Sequence, residues 1–100
     1  MGMEKCTYKE FPATGILRIP KKILVELGFH RVRKIEISYE EKEIFIRKEN
    51  PKSSHNKRLI SENGYIKIPK EIIDIANITS EDHYCLYVDE SNKQMVVKIQ

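Results

Sequence analysis

Apolar positions along this chain come in short alternating runs rather than long blocks. Ile35-Glu-Ile37 and Ile44-Phe-Ile46 alternate around Tyr39-Glu-Glu-Lys-Glu43. That is the pattern of two strands and a hairpin connection. Tyr84 to Val88 and Met95 to Ile99 repeat it around Asp89-Glu-Ser-Asn-Lys93. Upstream, Cys6 to Phe11 is short and half apolar, a strand, and Pro12-Ala-Thr-Gly15 is a turn. Ile16 to Ile19 is a further strand ending at Pro20. A proline suits the first position of a helix, where its missing N–H costs nothing. Ile23, Leu24 and Leu27 follow at helical spacing, and Gly28 reads as the left-handed C-terminal cap. The spacing thus predicts a helix of about two turns over Pro20–Leu27.

This plan appears twice. Gly15-Ile-Leu-Arg-Ile-Pro-Lys-Lys-Ile23 recurs 49 residues later as Gly64-Tyr-Ile-Lys-Ile-Pro-Lys-Glu-Ile72. Leu59-Ile60 matches the first strand, Asn63-Gly64 the turn, Tyr65 to Ile68 the second strand and Pro69–Ala76 the helix. Asn77 stands where Gly28 stood, and asparagine is the second choice for a left-handed cap. The second hairpin turn is two residues longer, so Ile44 matches Met95 at an offset of 51. The units cover residues 5–49 and 56–99, joined by the polar linker Asn50-Pro-Lys-Ser-Ser-His55.

A unit of four strands and one short helix cannot cover both of its faces. Two copies in one chain solve this by sharing a core and pairing their strand edges. The matched pairs Ile19 and Ile68, Leu27 and Ala76, Ile37 and Leu86, and Ile46 and Val97 are expected inside. Tyr8, Tyr39, Tyr65, Tyr84 and Tyr87 are expected to pack there too. One hundred residues then make one small, mainly β domain with two short helices.

Composition adds little beyond an ordinary globular balance, 40% hydrophobic and 33% charged. No apolar run approaches the roughly 20 residues of a membrane span. The Met-Gly-Met-Glu-Lys start lacks the apolar stretch of a signal peptide. Cys6 and Cys85 show no framework spacing, so a reducing cytoplasm is the default. The net charge of +3 decides nothing, but its distribution does. Residues 1–50 carry 11 Lys/Arg against 8 Asp/Glu, whereas from Leu59 onward the count is 4 against 7. The basic excess lies in the first copy and around Lys52, Lys57 and Arg58. A polyanion would be drawn to that side.

Three cationic positions agree between copies: Lys9 with Arg58, Arg18 with Lys67, and Lys21 with Lys70. Lys22 adds a fourth in the first copy, where the second has Glu71. Under pseudo-twofold symmetry these residues form a two-lobed cationic face on rigid elements. Side chains projecting from strands can reach phosphates, and arginine can also reach a guanine edge. Other chemistry is absent from the pattern. His30, His55, His83, Cys6 and Cys85 lack zinc-type spacing, and His83-x-Cys85 reads as incidental. There is no nucleophile elbow and no phosphate-cradling glycine loop. No metal, cofactor or enzymatic activity is expected.

The motif Gly-x-x-x-Ile-Pro-Lys-x-Ile, a short helix ending in Gly, then a β-hairpin, resembles the AbrB/MazE/SpoVT superfamily. Its members are transition-state regulators and antitoxins. The resemblance implies a double-psi-like swapped-hairpin barrel, here formed as an intrachain pseudo-dimer of the two repeats. The local match is closest to MazE-like antitoxins, whose Ala-Val-Arg-Ile-Pro resembles Ile16-Leu-Arg-Ile-Pro20. Their DNA-contacting strand arginine falls on Arg18, and on Lys67 in the second copy. A basic residue of their preceding strand falls on Lys9 and Arg58; its neighbour is Glu10 here and Leu59 in the copy. The arginine that follows the turn glycine in AbrB proteins is replaced by Ile16 and Tyr65, and their paired helix arginines by Leu24-Val25 and Ile73-Asp74.

The reading is therefore a cytoplasmic, DNA-binding transcriptional regulator that binds double-stranded DNA through Lys9, Arg18, Lys21, Lys22, Arg58, Lys67 and Lys70. The alternative is a protein-interaction or assembly module, an antitoxin-like barrel that has lost DNA binding. A MazE-type antitoxin neutralises its toxin largely through an extended tail. The chain ends at Gln100, so no toxin partner is expected. Interlocking within one chain competes with a homodimer in which each copy exchanges hairpins with another chain.

Overall fold

A computed structural model describes residues 8–31, 34–50, 52 and 56–100. The chain runs β1 (Lys9–Glu10), β2 (Ile16–Arg18), α1 (Lys21–Leu27), a 3-10 turn (Phe29–Arg31), β3 (Lys34–Glu40) and β4 (Glu43–Lys48). It continues through β5 (Asn56–Leu59), β6 (Tyr65–Lys67), α2 (Lys70–Ala76), β7 (His83–Asp89) and β8 (Gln94–Ile99). The first strand is shorter than expected, and Cys6 and Thr7 lie outside the described residues. No helix among the described residues is long and apolar enough to cross a membrane.

The helices form where the spacing put them, with one difference. Pro20 and Pro69 stand at the N-cap rather than at the first helical position, with ψ of 145° and 140°. Their extended backbone ends each strand, and the helix starts on the following lysine. Both helices stop on a left-handed residue, Gly28 at φ 75° and Asn77 at φ 57°. After α2 the Asn77 and Ile78 amides donate to the Asp74 and Ile73 carbonyls at 3.2 and 3.0 Å. That pair of hydrogen bonds turns the chain sharply and brings Ile78 into the core, where it is buried.

The hairpins are tighter than the sequence suggested. β3 and β4 pair as far as Glu40 with Glu43, leaving only Glu41 and Lys42 in the turn. Both have positive φ, 50° and 70°. A two-residue turn of that kind matches the strand twist but normally takes Asn-Gly. The second hairpin closes with Asp89 opposite Gln94. There the Asp89 carboxylate accepts from Asn92 Nδ2 at 2.8 Å and from Gln94 Nε2 at 3.0 Å.

Strand pairing joins the two repeats throughout. One sheet has the order β1-β7-β8-β4-β3-β5 and curls into a half-barrel; β2 and β6 form a separate two-stranded ribbon. Each repeat's first strand pairs with the hairpin of the other: Lys9 lies opposite Tyr84, and Arg58 opposite Ile35. These are equivalent pairs under the 49-residue offset. Exchanging the repeats reverses the sheet order and leaves it unchanged. Two antiparallel pairings map onto themselves, β2–β6 about Leu17 and Ile66, and β4–β8 about Phe45 and Val96. The pairing pattern therefore has a pseudo-dyad, centred on each of these two pairs.

The core lies between the concave side of the sheet, the inner side of the ribbon and the two helices. Ile35, Ile37, Ile44, Ile46, Met95 and Val97 come from the sheet, Leu17 and Ile66 from the ribbon, and Leu24, Leu27 and Ile72 from the helices. Ile19 and Ile68 are both fully enclosed, as are Ile46 and Val97. The other matched pairs differ: Leu27 and Ile37 are buried, but Ala76 and Leu86 are only half-buried. Alanine reaches less far than leucine. Leu86 lies on β7, which is flanked by the two residues of β1, whereas Ile37 on β3 is flanked by the four of β5.

Two buried features, a carboxylate and a disulfide, were not visible in the pattern. Glu36, on the convex side of β3, is 2% exposed. It lies between Arg47 on β4 and Lys57 on β5, and accepts the Asn50 amide at 3.0 Å. A buried carboxylate requires such company. Cys85 is buried and disulfide-bonded, against the expectation of reduced thiols; Cys6 lies outside the described residues.

Candidate nucleic-acid interface

The ribbon exists because of the repeated glycine. Gly15 and Gly64 adopt φ of 74° and 86° and close turns by donating to the Pro12 and Ser61 carbonyls. Each then accepts the amide of the isoleucine before the other repeat's proline: Ile19 to the Gly64 carbonyl at 2.8 Å, Ile68 to Gly15 at 2.9 Å. Gly-x-x-x-Ile-Pro is therefore a self-complementary clasp. The glycine of one copy receives the isoleucine of the other, and the proline ends the strand.

Alternation then decides what the ribbon shows. Leu17 and Ile66 point inward and are buried; Ile16, Arg18, Tyr65 and Lys67 are exposed. In register, Ile16 faces Lys67 and Arg18 faces Tyr65. Two cations and two apolar side chains thus occupy one outward surface about the pseudo-dyad. Lys21 and Lys70, also exposed, start the helices three residues beyond Arg18 and Lys67. Lys22 is exposed beside Lys21, whereas Glu71 places an acid in the first turn of α2.

Arg18 is the most constrained cation of the group. Its Nε donates to the Asn63 carbonyl at 3.4 Å, and its guanidinium carbon lies 5.9 Å from the centre of the Tyr65 ring. Arg18 also lines a shallow depression of about 200 Å³ with Lys9, Pro20, Ile23, Tyr84 and Leu86. Two cationic residues and a tyrosine thus border one depression beside the ribbon. Tyr84 is held by an edge-on contact with Phe11, ring centres 5.8 Å apart. Burial raises its pKa, so the phenol keeps its proton and acts as a donor. A phosphate matches this set of groups in charge and hydrogen bonding.

The equivalent residue in the second copy behaves differently. Arg58 is half-buried, and its Nη1 donates to the Lys57 carbonyl of its own strand at 2.8 Å. The structure therefore gathers Arg18, Lys67, Lys21, Lys22 and Lys70 on and beside the ribbon. Lys9 joins them at the depression, and Arg58 stands off on the β5 edge.

Sequence reasoning missed the apolar half of this surface. Tyr65 and Ile16 remain 48% and 44% exposed, although Tyr65 was expected to pack inside. Tyr8 is exposed as well, while Tyr39, Tyr84 and Tyr87 are half-buried. The signal was available: Tyr65 lies two residues from Lys67 on a strand, hence on the same side. Among the described residues no group of three or more His, Cys, Asp or Glu is placed to hold a metal. No family model, curated protein or solved structure matches this chain.

Proposed function

We propose that this protein binds double-stranded DNA through the β2–β6 ribbon, as a regulator of the AbrB/MazE type. In this reading the two repeats form an intrachain swapped-hairpin pseudo-dimer, the arrangement that such proteins build from two chains. The observation that carries the reading is the ribbon itself. Its pseudo-dyad sets Arg18 and Lys67 on one exposed face, with lysines at both adjoining helix starts. A two-stranded ribbon fits the major groove of B-DNA, about 12 Å wide. The duplex has its own local dyad, so two related cationic arms can meet two strands at once. The Lys9–Arg18–Tyr84 depression lies to the side of the ribbon and suits a backbone phosphate.

The test is binding to random-sequence duplex DNA over a range of salt concentrations. Each neutralised phosphate lowers the log–log slope by about 0.9. A steep fall in affinity with salt supports the reading. Affinity that is absent at low salt, or insensitive to salt, removes it.

A further inference from the structure

The two ends of the ribbon are not chemically equivalent. At one end Arg18 stands opposite Tyr65; at the other Lys67 stands opposite Ile16. The pseudo-dyad exchanges these pairs, so an aromatic platform beneath a cation is present at one end only. We infer that Tyr65 is a positioning residue. It holds the Arg18 guanidinium edge-out for a guanine, so that the protein reads a base on one side of the dyad and mainly phosphate on the other. This inference rests on the DNA-binding reading above.

Two restraints converge on Arg18. The Tyr65 ring lies beneath its guanidinium, and the Asn63 carbonyl accepts from Nε. The backbone that carries the platform is anchored, because the Tyr65 amide donates to Ser61 Oγ at 2.9 Å and its carbonyl accepts the Ser61 amide at 3.2 Å. With Nε engaged, both Nη groups lack a hydrogen-bond partner among the described residues. Those groups form the fork that matches guanine O6 and N7. Pre-ordering the fork reduces the side-chain entropy lost on binding. Lys67 has neither ring nor fork, and its ammonium suits a phosphate as a point charge. Ile16, 44% exposed beside it, offers an apolar contact of the kind a thymine methyl takes.

Selection from a randomised duplex library tests this with four proteins. The parent should recover a site with a guanine on one side of its centre only. Tyr65→Phe keeps the ring and should recover the same site. Tyr65→Ile installs the residue that the first repeat carries at this position, so the strand should still fold. It should flatten the guanine preference about two- to fivefold, the range of an exposed cation–π contact, and leave the salt slope unchanged. The reciprocal double variant Ile16→Tyr/Lys67→Arg should convert the recovered site towards a palindrome. An unchanged guanine preference in Tyr65→Ile, or a palindromic site for the parent, overturns the inference while DNA binding stands. A parent that recovers no duplex overturns both.

Discussion

Gly15 and Gly64 occupy the same place in the repeat, yet they do not tolerate the same change. A Cβ on Gly64 would come within 2.4 Å of the Ile19 carbonyl oxygen, a backbone atom that the clasp holds in place. At Gly15 the nearest atom is Ile73 Cδ1 at 3.1 Å, the end of a flexible side chain. Both have positive φ, which costs an alanine about 1–2 kcal/mol. Gly15→Ala should therefore lose roughly that much stability, and Gly64→Ala about 3 kcal/mol or more. Chemical denaturation checks the order; equal losses would mean that the two clasps are not packed as described. The same scale shows what a sequence conceals. That Gly15 and Gly64 serve a turn was legible from the repeat. That each receives the other copy's isoleucine amide was not, because the contact spans the two repeats. Tyr65 was misplaced, and the burial of Glu36 missed, for a related reason: strand alternation assigns a side but not what covers that side.

At the scale of elements, the hairpins carry the clearest departures from ideal chemistry. Glu41 and Lys42 both sit at positive φ without glycine or asparagine. Replacing them by Asn-Gly should stabilise the protein by about 1 kcal/mol, read as a higher melting temperature. The second hairpin depends on pH. Hydrogen bonds from Asn92, then Gln94, lower the Asp89 pKa. A carboxyl with a depressed folded pKa adds stability that is complete above its unfolded value near 4. That contribution fades as the pH falls through the folded value. Asp89→Asn should therefore lower stability at neutral pH, change little in strong acid, and so flatten the acid limb of the stability profile. The helices were the most legible elements, since proline and a left-handed cap mark both ends. The strand ends were less so: the polar pairs Glu40–Glu43 and Asp89–Gln94 continue ladders that the apolar alternation had already left.

For the whole molecule, the repeat predicted the shared core and the pairing of edges, and the strand order is symmetric under exchange of the repeats. Truncating either enclosed isoleucine, Ile19→Ala or Ile68→Ala, should cost roughly 2–5 kcal/mol. Such a loss is a large part of the stability of a small domain. The division of the strands between a curled sheet and a ribbon was not legible, because both contain the same alternation. Yet that division creates the cationic surface, by freeing Arg18 and Lys67 from the sheet. We propose that this surface binds DNA. Fluorescence anisotropy of duplex binding at several salt concentrations, parent against the Arg18→Ala/Lys67→Ala double variant, tests it most directly. The account predicts salt-steep binding by the parent and, in the double variant, much weaker binding with a slope reduced by about one to two. Equal affinity of the two proteins for DNA at low salt would contradict it.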